Sequence, residues 1–171
     1  MEKTNYCLWL GLEKSLEQDL QTLISRLAAR YKTQPFIPHA TLLTSINTTL
    51  DELERVTEQL AKTTTRLNTC ALGLGYSDEY YRNFYIQLPL IEPLENLHIE
   101  SKTLLRTKTT QPYQPHVSLL YGFLSSDEQR RLSIELGASY PKNLEFSQLI
   151  VVDTSSDISN WKITSRVDLE E

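Results

Sequence analysis

The sequence predicts an α+β fold with approximate internal two-fold symmetry, on three observations. Apolar runs of strand length alternate with amphipathic runs of helix length along the 171 residues. A decamer is written twice, "QPFIPHATLL" from Gln34 to Leu43 and "QPYQPHVSLL" from Gln111 to Leu120, and the copies hold two of the three histidines. The elements flanking each copy recur in one order at an offset of 77 residues. This gives a single bilobal domain over 1–171, with sequence halves of about 5–78 and 82–154 and a closing strand at 160–167.

Taken in order, Tyr6 to Leu12 reads as a short apolar strand. Ser15 with Gln18 forms an S-x-x-Q cap, in which a hydroxyl and a side-chain amide satisfy orphan backbone amides at a helix start. Leu16, Leu20, Leu23, Ile24, Leu27, Ala28 and Tyr31 then recur at helical spacing. Pro35 and Pro38 end that helix, because they lack amide donors and push the preceding residues toward extended geometry. His39 to Ile46 is a strand, and Thr49 with Glu52 caps a second helix that buries Leu50, Leu53, Val56 and Leu60. Leu67 to Tyr76 and Phe84 to Leu90 read as two strands around the polar turn "SDEYYRN". Pro93 suits a first helical turn, and Leu94, Leu97, Ser101, Leu104 and Leu105 carry that helix to "TKTTQPYQP". A strand from His116 to Phe123, a Ser126/Gln129 cap, a helix with Leu132 and Leu136, and strands near Phe146 to Val152 and Trp161 to Val167 complete the chain.

Composition narrows the function. With 40% apolar residues the chain can bury roughly 70% of its unfolded surface. No apolar run approaches the roughly 18–20 residues a membrane span needs, and "MEKTNYCLWLGLEK" reads as neither leader nor anchor. Cys7 and Cys70 lack metal-ligand spacing and read as buried free thiols, which suits a reducing cytoplasm. A net charge of −5 without a Lys/Arg block supplies no footprint for long nucleic acid, leaving short nucleotides.

Two equivalent His strands packed about a pseudo-dyad bring their histidines to one cleft. Residues i and i+2 share a strand face, so Thr41 accompanies His39 and Ser118 accompanies His116. Two imidazoles near pKa 6.5 can act as acid and base, and two hydroxyls can hold a phosphate, which together suit metal-free hydrolysis of a phosphodiester. In a chain this rich in Ser and Thr, H-x-[ST] alone carries little; the repeated Q-P-aromatic-x-P-H frame and Leu-Leu ending carry more.

The paired "HATL" and "HVSL" resemble the motifs of the 2H phosphoesterase superfamily. "YCLWL", "FIPHATLL", "YQPHVSLLYG" and "NWKI" are similar to its cyclic phosphodiesterase branch, over about Tyr6 to Val167. The resemblance implies a cleft between two antiparallel sheets. It implies His39 and His116 as acid and base in an unassigned order, Thr41 and Ser118 as phosphate ligands, and no cofactor or metal. The substrates it implies are ADP-ribose 1″,2″-cyclic phosphate and nucleoside 2′,3′-cyclic phosphates. It also implies that Tyr121 stacks on a base, whereas ideal alternation from His116 points Tyr121 to the opposite face, so that role requires a bulge or strand end. Trp9 alternates away from Leu8 and Leu10 and is a second candidate for stacking in the cleft.

A small cyclic nucleotide, short RNA ends as an alternative, no membrane and a monomer are the expected partners and state. The competing classes are a nucleotide-binding module using the same cleft and a metal hydrolase, for which no H-E-x-x-H exists. A serine hydrolase on Ser118 lacks the G-x-S-x-G elbow. His98 reads as structural or exposed, and "DEYYRNFY" reads first as a solvated turn with tyrosines packed behind it, the other reading being that its adjacent tyrosines and Arg82 meet a nucleotide as aromatic and cation.

Overall fold

The computed structural model describes residues 5–108 and 111–171. The first four residues of the segment read for a leader, and Thr109 and Thr110 of the helix-ending segment, lie outside them.

The first half opens with strand β1 (Tyr6–Leu12), helix α1 (Lys14–Tyr31), strand β2 (His39–Ile46) and helix α2 (Leu50–Ala61). The cap of α1 differs from expectation. Glu13, not Ser15, accepts the first amides, from Ser15 and Leu16, because its carboxylate also takes the Ser15 hydroxyl at 2.6 Å. Thr49 caps α2 as expected, accepting from the Glu52 amide at 3.3 Å. The stretch Leu67 to Tyr76 is two strands, β3 (Leu67–Cys70) and β4 (Gly73–Tyr76), which pair with different neighbours. After a 3-10 turn at Tyr80–Arg82 comes β5 (Phe84–Gln87), antiparallel to β4.

Helix α3 (Glu92–Leu104) carries Pro93 in its first turn, where the missing amide costs nothing. Strand β6 (His116–Leu120) stops three residues short of the expected Phe123. Helix α4 (Ser126–Leu136) has its reciprocal capping box on Ser125 and Glu128, one residue before the expected Ser126/Gln129 pair. Gln129 is instead buried, donating to the carbonyls of Ser77 and Asn83. Strands β7 (Asn143–Asp153) and β8 (Lys162–Asp168) close the chain.

The eight strands form one curled antiparallel sheet in the order β3-β7-β1-β2-β6-β5-β4, with β8 on β7. The expected pair of sheets is therefore one continuous sheet, joined where β2 meets β6 through the partners Ala40 and Val117. Helix α1 packs on β6 as well as β1, while α3 packs on β2 and α2. The main core, including Leu8, Leu10, Ile24, Leu53, Val117 and Leu132, lies between helices and sheet. A small second cluster of Cys7, Trp9, Ile150 and Val152 occupies the other face of β1 and β7, as two-residue alternation requires. Cys7 is buried, but Cys70 is exposed, contrary to expectation, because edge strand β3 points it outward. Among the described residues no helix is long and apolar enough to cross a membrane.

Candidate active site

The seam between β2 and β6 assembles the site. Ala40 and Val117 are partners and fully buried, so their side chains face the core. In the antiparallel register about that pair, His39 stands opposite Ser118 and Thr41 opposite His116, all four on the other face. All four line one cleft of about 650 Å³. The two histidines occupy diagonal corners, which in antiparallel sheets lie roughly 7–8 Å apart and leave room for a phosphoryl group between the rings.

The repeated X-Pro-His segment fixes each ring in the same way. His39 Nδ1 lies 2.6 Å from the Ile37 carbonyl, and His116 Nδ1 lies 2.8 Å from the Gln114 carbonyl. A carbonyl only accepts, so each Nδ1 carries the proton and donates it. Each Nε2 is left as the titrating nitrogen.

The two environments then diverge. His39 is 4% exposed and stacks on Trp9, with ring centroids 3.5 Å apart and planes 6° apart. Burial pulls its pKa down to about 3, the Ile37 carbonyl opposing and repulsion from His116 adding. His116 is half-buried and meets Tyr85 edge-on at 5.3 Å. Its pKa is also lowered, first by burial and then by the Arg82 guanidinium, against the raising influence of the Gln114 carbonyl and Glu79. Arg82 is held by Glu79 at 2.8 Å and by the Gln114 side chain, and it lies over the Tyr85 ring at 5.6 Å.

Thr41 is half-buried in the cleft, and its backbone carbonyl accepts from the Tyr113 hydroxyl at 3.1 Å. The Ser118 hydroxyl donates to the Tyr81 carbonyl at 2.8 Å. Tyr121 lines the cleft because β6 has ended at Leu120 and Gly122 adopts φ 151°, a conformation that L side chains rarely take. Its ring is 3% exposed and stacked on Phe36 at 3.6 Å, and burial raises its hydroxyl pKa. Trp9 lines the cleft, with one indole face stacked on His39. His98 is structural, with Nδ1 3.0 Å from the Leu42 carbonyl and its ring stacked on Tyr113 at 4.0 Å.

Three cleft residues are under-weighted by sequence reasoning. Trp161 enters it only within a motif, and Tyr81 and Arg82 enter it only as the lesser reading of a turn that reads first as solvated; all three line the cleft. Their arrival depends on long-range packing of the β4–β5 turn against β6 and of the β7–β8 connection over Trp9. The pairing of an aromatic with a cation in "YYRN" is the available signal. Among the described residues no three His, Cys, Asp or Glu side chains gather as metal ligands.

The family model described as "Cyclic phosphodiesterase-like protein" matches residues 5–169. A cyclic phosphodiesterase of Arabidopsis thaliana is 22% identical over 130 residues, covering 76% of this chain and 72% of that protein. Among solved structures, E. coli LigT complexed with 3′-AMP aligns with a TM-score of 0.63 at 12% identity, covering 98% of this chain and 99% of that one. The same protein has also been solved with NADP+ and with ATP. TT0787 of Thermus thermophilus aligns with a TM-score of 0.66 at 12% identity, over 96% and 97% of the two chains. At these identities the structural likeness is one of fold.

Proposed function

The chain belongs to the cyclic phosphodiesterase-like protein family, and from that premise we propose that this phosphodiesterase opens a cyclic phosphodiester in a small nucleotide by two-histidine acid/base catalysis. The observation that carries the reading is the pair of X-Pro-His locks, which leave two Nε2 atoms on one face at diagonal corners of a Thr/Ser-flanked square. ADP-ribose 1″,2″-cyclic phosphate and nucleoside 2′,3′-cyclic phosphates are the substrates. A cleft of about 650 Å³ in which Arg82 is the one Lys or Arg among the described lining residues suits a small nucleotide over an extended RNA end. Nucleotide complexes of the structural relative LigT accord with this substrate size.

In the mechanism, His116 Nε2 takes a proton from water as that water attacks phosphorus. The bond to the departing ribose oxygen breaks on the opposite side, and the Nε2 proton of His39 neutralises the alkoxide. One water is consumed and a phosphomonoester is released. His116 is the base because it is the more accessible ring and the adjacent Arg82 cation favours its neutral form. His39 is the acid: the Trp9 face at 3.5 Å stabilises an imidazolium, and the bound phosphate anion raises its pKa from the low value of the empty cleft. Thr41 and Ser118 hold the non-bridging oxygens, the Ser118 proton turning from the Tyr81 carbonyl to the phosphate. Tyr121 closes the floor of the cleft against Phe36.

The active unit is one chain, since both histidines and both hydroxyls come from it, and two unpaired cysteines suit a reducing cytoplasm. The 77-residue repeat is the device by which one domain presents the same lock twice. The test is incubation of both substrate types with excess chelator and identification of the phosphomonoester. We expect turnover to persist; its loss in chelator and return with a divalent metal would replace this mechanism by metal hydrolysis.

A further inference from the structure

The two hydroxyls of the square, on Thr41 and Ser118, are held in different ways. The Ser118 hydroxyl is fixed by its bond to the Tyr81 carbonyl, whereas the Thr41 hydroxyl has no hydrogen-bond partner among the described residues, so its backbone alone aims it. That backbone is irregular. Trp9 pairs with Thr41 but Leu8 with Leu43, which leaves Leu42 as an extra residue in β2, a bulge of the kind that re-aims neighbouring side chains. On the other side, the ladder to β6 has the single pair Ala40 and Val117 among the described residues.

Two residues take hold of β2 just beyond that pair. The Tyr113 hydroxyl donates to the Thr41 carbonyl at 3.1 Å, and His98 Nδ1 donates to the Leu42 carbonyl at 3.0 Å. Their rings stack 4.0 Å apart and 5° from parallel, so helix α3 and the segment before β6 grip the bulge as one unit. Burial raises the Tyr113 hydroxyl pKa, so it remains a donor across the neutral range. The first copy of the repeat has no such grip. At the same places 77 residues earlier stand Gln21 and Phe36; Gln21 donates to the Phe36 carbonyl at 3.1 Å, and Phe36 has no hydroxyl to offer β6.

We propose that Tyr113 and His98 are positioning residues, which pin the bulged β2 backbone by its carbonyls and so aim the Thr41 hydroxyl at the phosphate. This rests on the phosphodiesterase reading, in which Thr41 holds a non-bridging oxygen. A hydroxyl stabilises developing charge only from hydrogen-bond range, and a small shift of its backbone takes it out of that range. Both residues act through Thr41. Ser118, held by its own hydroxyl, does not depend on them.

The test is a double-mutant cycle. Tyr113→Phe is made in wild type, in Thr41→Val and in Ser118→Ala, and is read as kcat/KM for nucleoside 2′,3′-cyclic phosphate in chelator and as calorimetric affinity for inorganic phosphate. Phenylalanine fills the equivalent place in the first copy, so the substitution keeps the ring and removes the hydroxyl. In wild type it should lower both readouts about fivefold, the contribution of one net hydrogen bond. It should cost nothing further in Thr41→Val and the same factor again in Ser118→Ala. His98→Leu should also lower both readouts, and His98→Asn, whose side-chain amide donates from the position of Nδ1, should recover most of that loss. No loss in Tyr113→Phe, or a loss of equal size with and without the Thr41 hydroxyl, overturns the proposal, because a merely structural bond would act alike in every background. Failure of the phosphodiesterase reading looks different: wild type then leaves the cyclic phosphate unopened, and the cycle read on phosphate affinity alone decides the grip.

Discussion

An imidazole held by the carbonyl two residues before it, across a proline, is a local structure, and it is legible in the sequence as a repeated frame without any tertiary contact. What the sequence does not carry is the asymmetry between the copies, because Trp9 comes to His39, and Arg82 to His116, from other strands and turns. That asymmetry has measurable consequences. In the proposed mechanism free enzyme is competent when one ring is neutral and the other protonated, and both pKa values lie below the ordinary 6.5. The bell-shaped kcat/KM profile should therefore peak on the acidic side of pH 6.5, its limbs belonging to the pair of rings together. Removing the cation with Arg82→Gln should move the profile to higher pH; a shift to lower pH, or none, would contradict the placement of Arg82 beside the base. An activated linear diester with an aryl leaving group needs no acid, so it should be turned over by His39→Ala at a rate near that of wild type and not by His116→Ala. The reverse pattern would exchange the two roles. Stability has a matching signature. The folded pKa of His39, about 3, lies below its unfolded value of 6.5, so the unfolded chain binds more protons between those limits. The stability contributed by the neutral ring is present above pH 6.5 and lost as pH falls toward 3. Replacing the ring with His39→Gln should flatten the acid decline of Tm, and an equally steep decline in the variant would place its origin elsewhere.

Helices and strands are legible almost to the residue where hydrophobic period decides them, as for Tyr6–Leu12, His39–Ile46 and the Leu53/Val56/Leu60 face. The sequence misleads where two adjacent residues compete for one role. Ser125 and Ser126 both suit an N-cap, and the choice is made by Gln129, whose amide is drawn into the core by the carbonyls of Ser77 and Asn83. Ser125→Ala should accordingly cost about 1 kcal/mol in chemical denaturation, whereas Ser126→Ala should cost only a few tenths. Equal costs would mean that the cap alternates between the two. Leu67 to Tyr76 misleads for a similar reason: both pieces have strand character, but one joins β7 and the other β5, and only tertiary pairing divides them.

At the scale of the molecule, the repeat is legible but its joining is not. One sheet runs through both halves, joined at the Ala40–Val117 pair, and α1 reaches across to β6 and α3 to β2. The shared sheet and crossing helices couple the two halves, so far-UV and near-UV circular dichroism should report a single coincident transition, and two separated transitions would contradict this. The same joining makes the proposed catalytic square, since the corners come from two strands 77 residues apart that meet at Ala40 and Val117. The most direct measurement of the central claim is therefore phosphomonoester formation from nucleoside 2′,3′-cyclic phosphate and ADP-ribose 1″,2″-cyclic phosphate, in chelator, by wild type, His39→Ala and His116→Ala. Two-histidine catalysis predicts turnover by wild type and a fall of about 10²–10⁴-fold in either variant. Binding without turnover in wild type, or full turnover after loss of either imidazole, would contradict it.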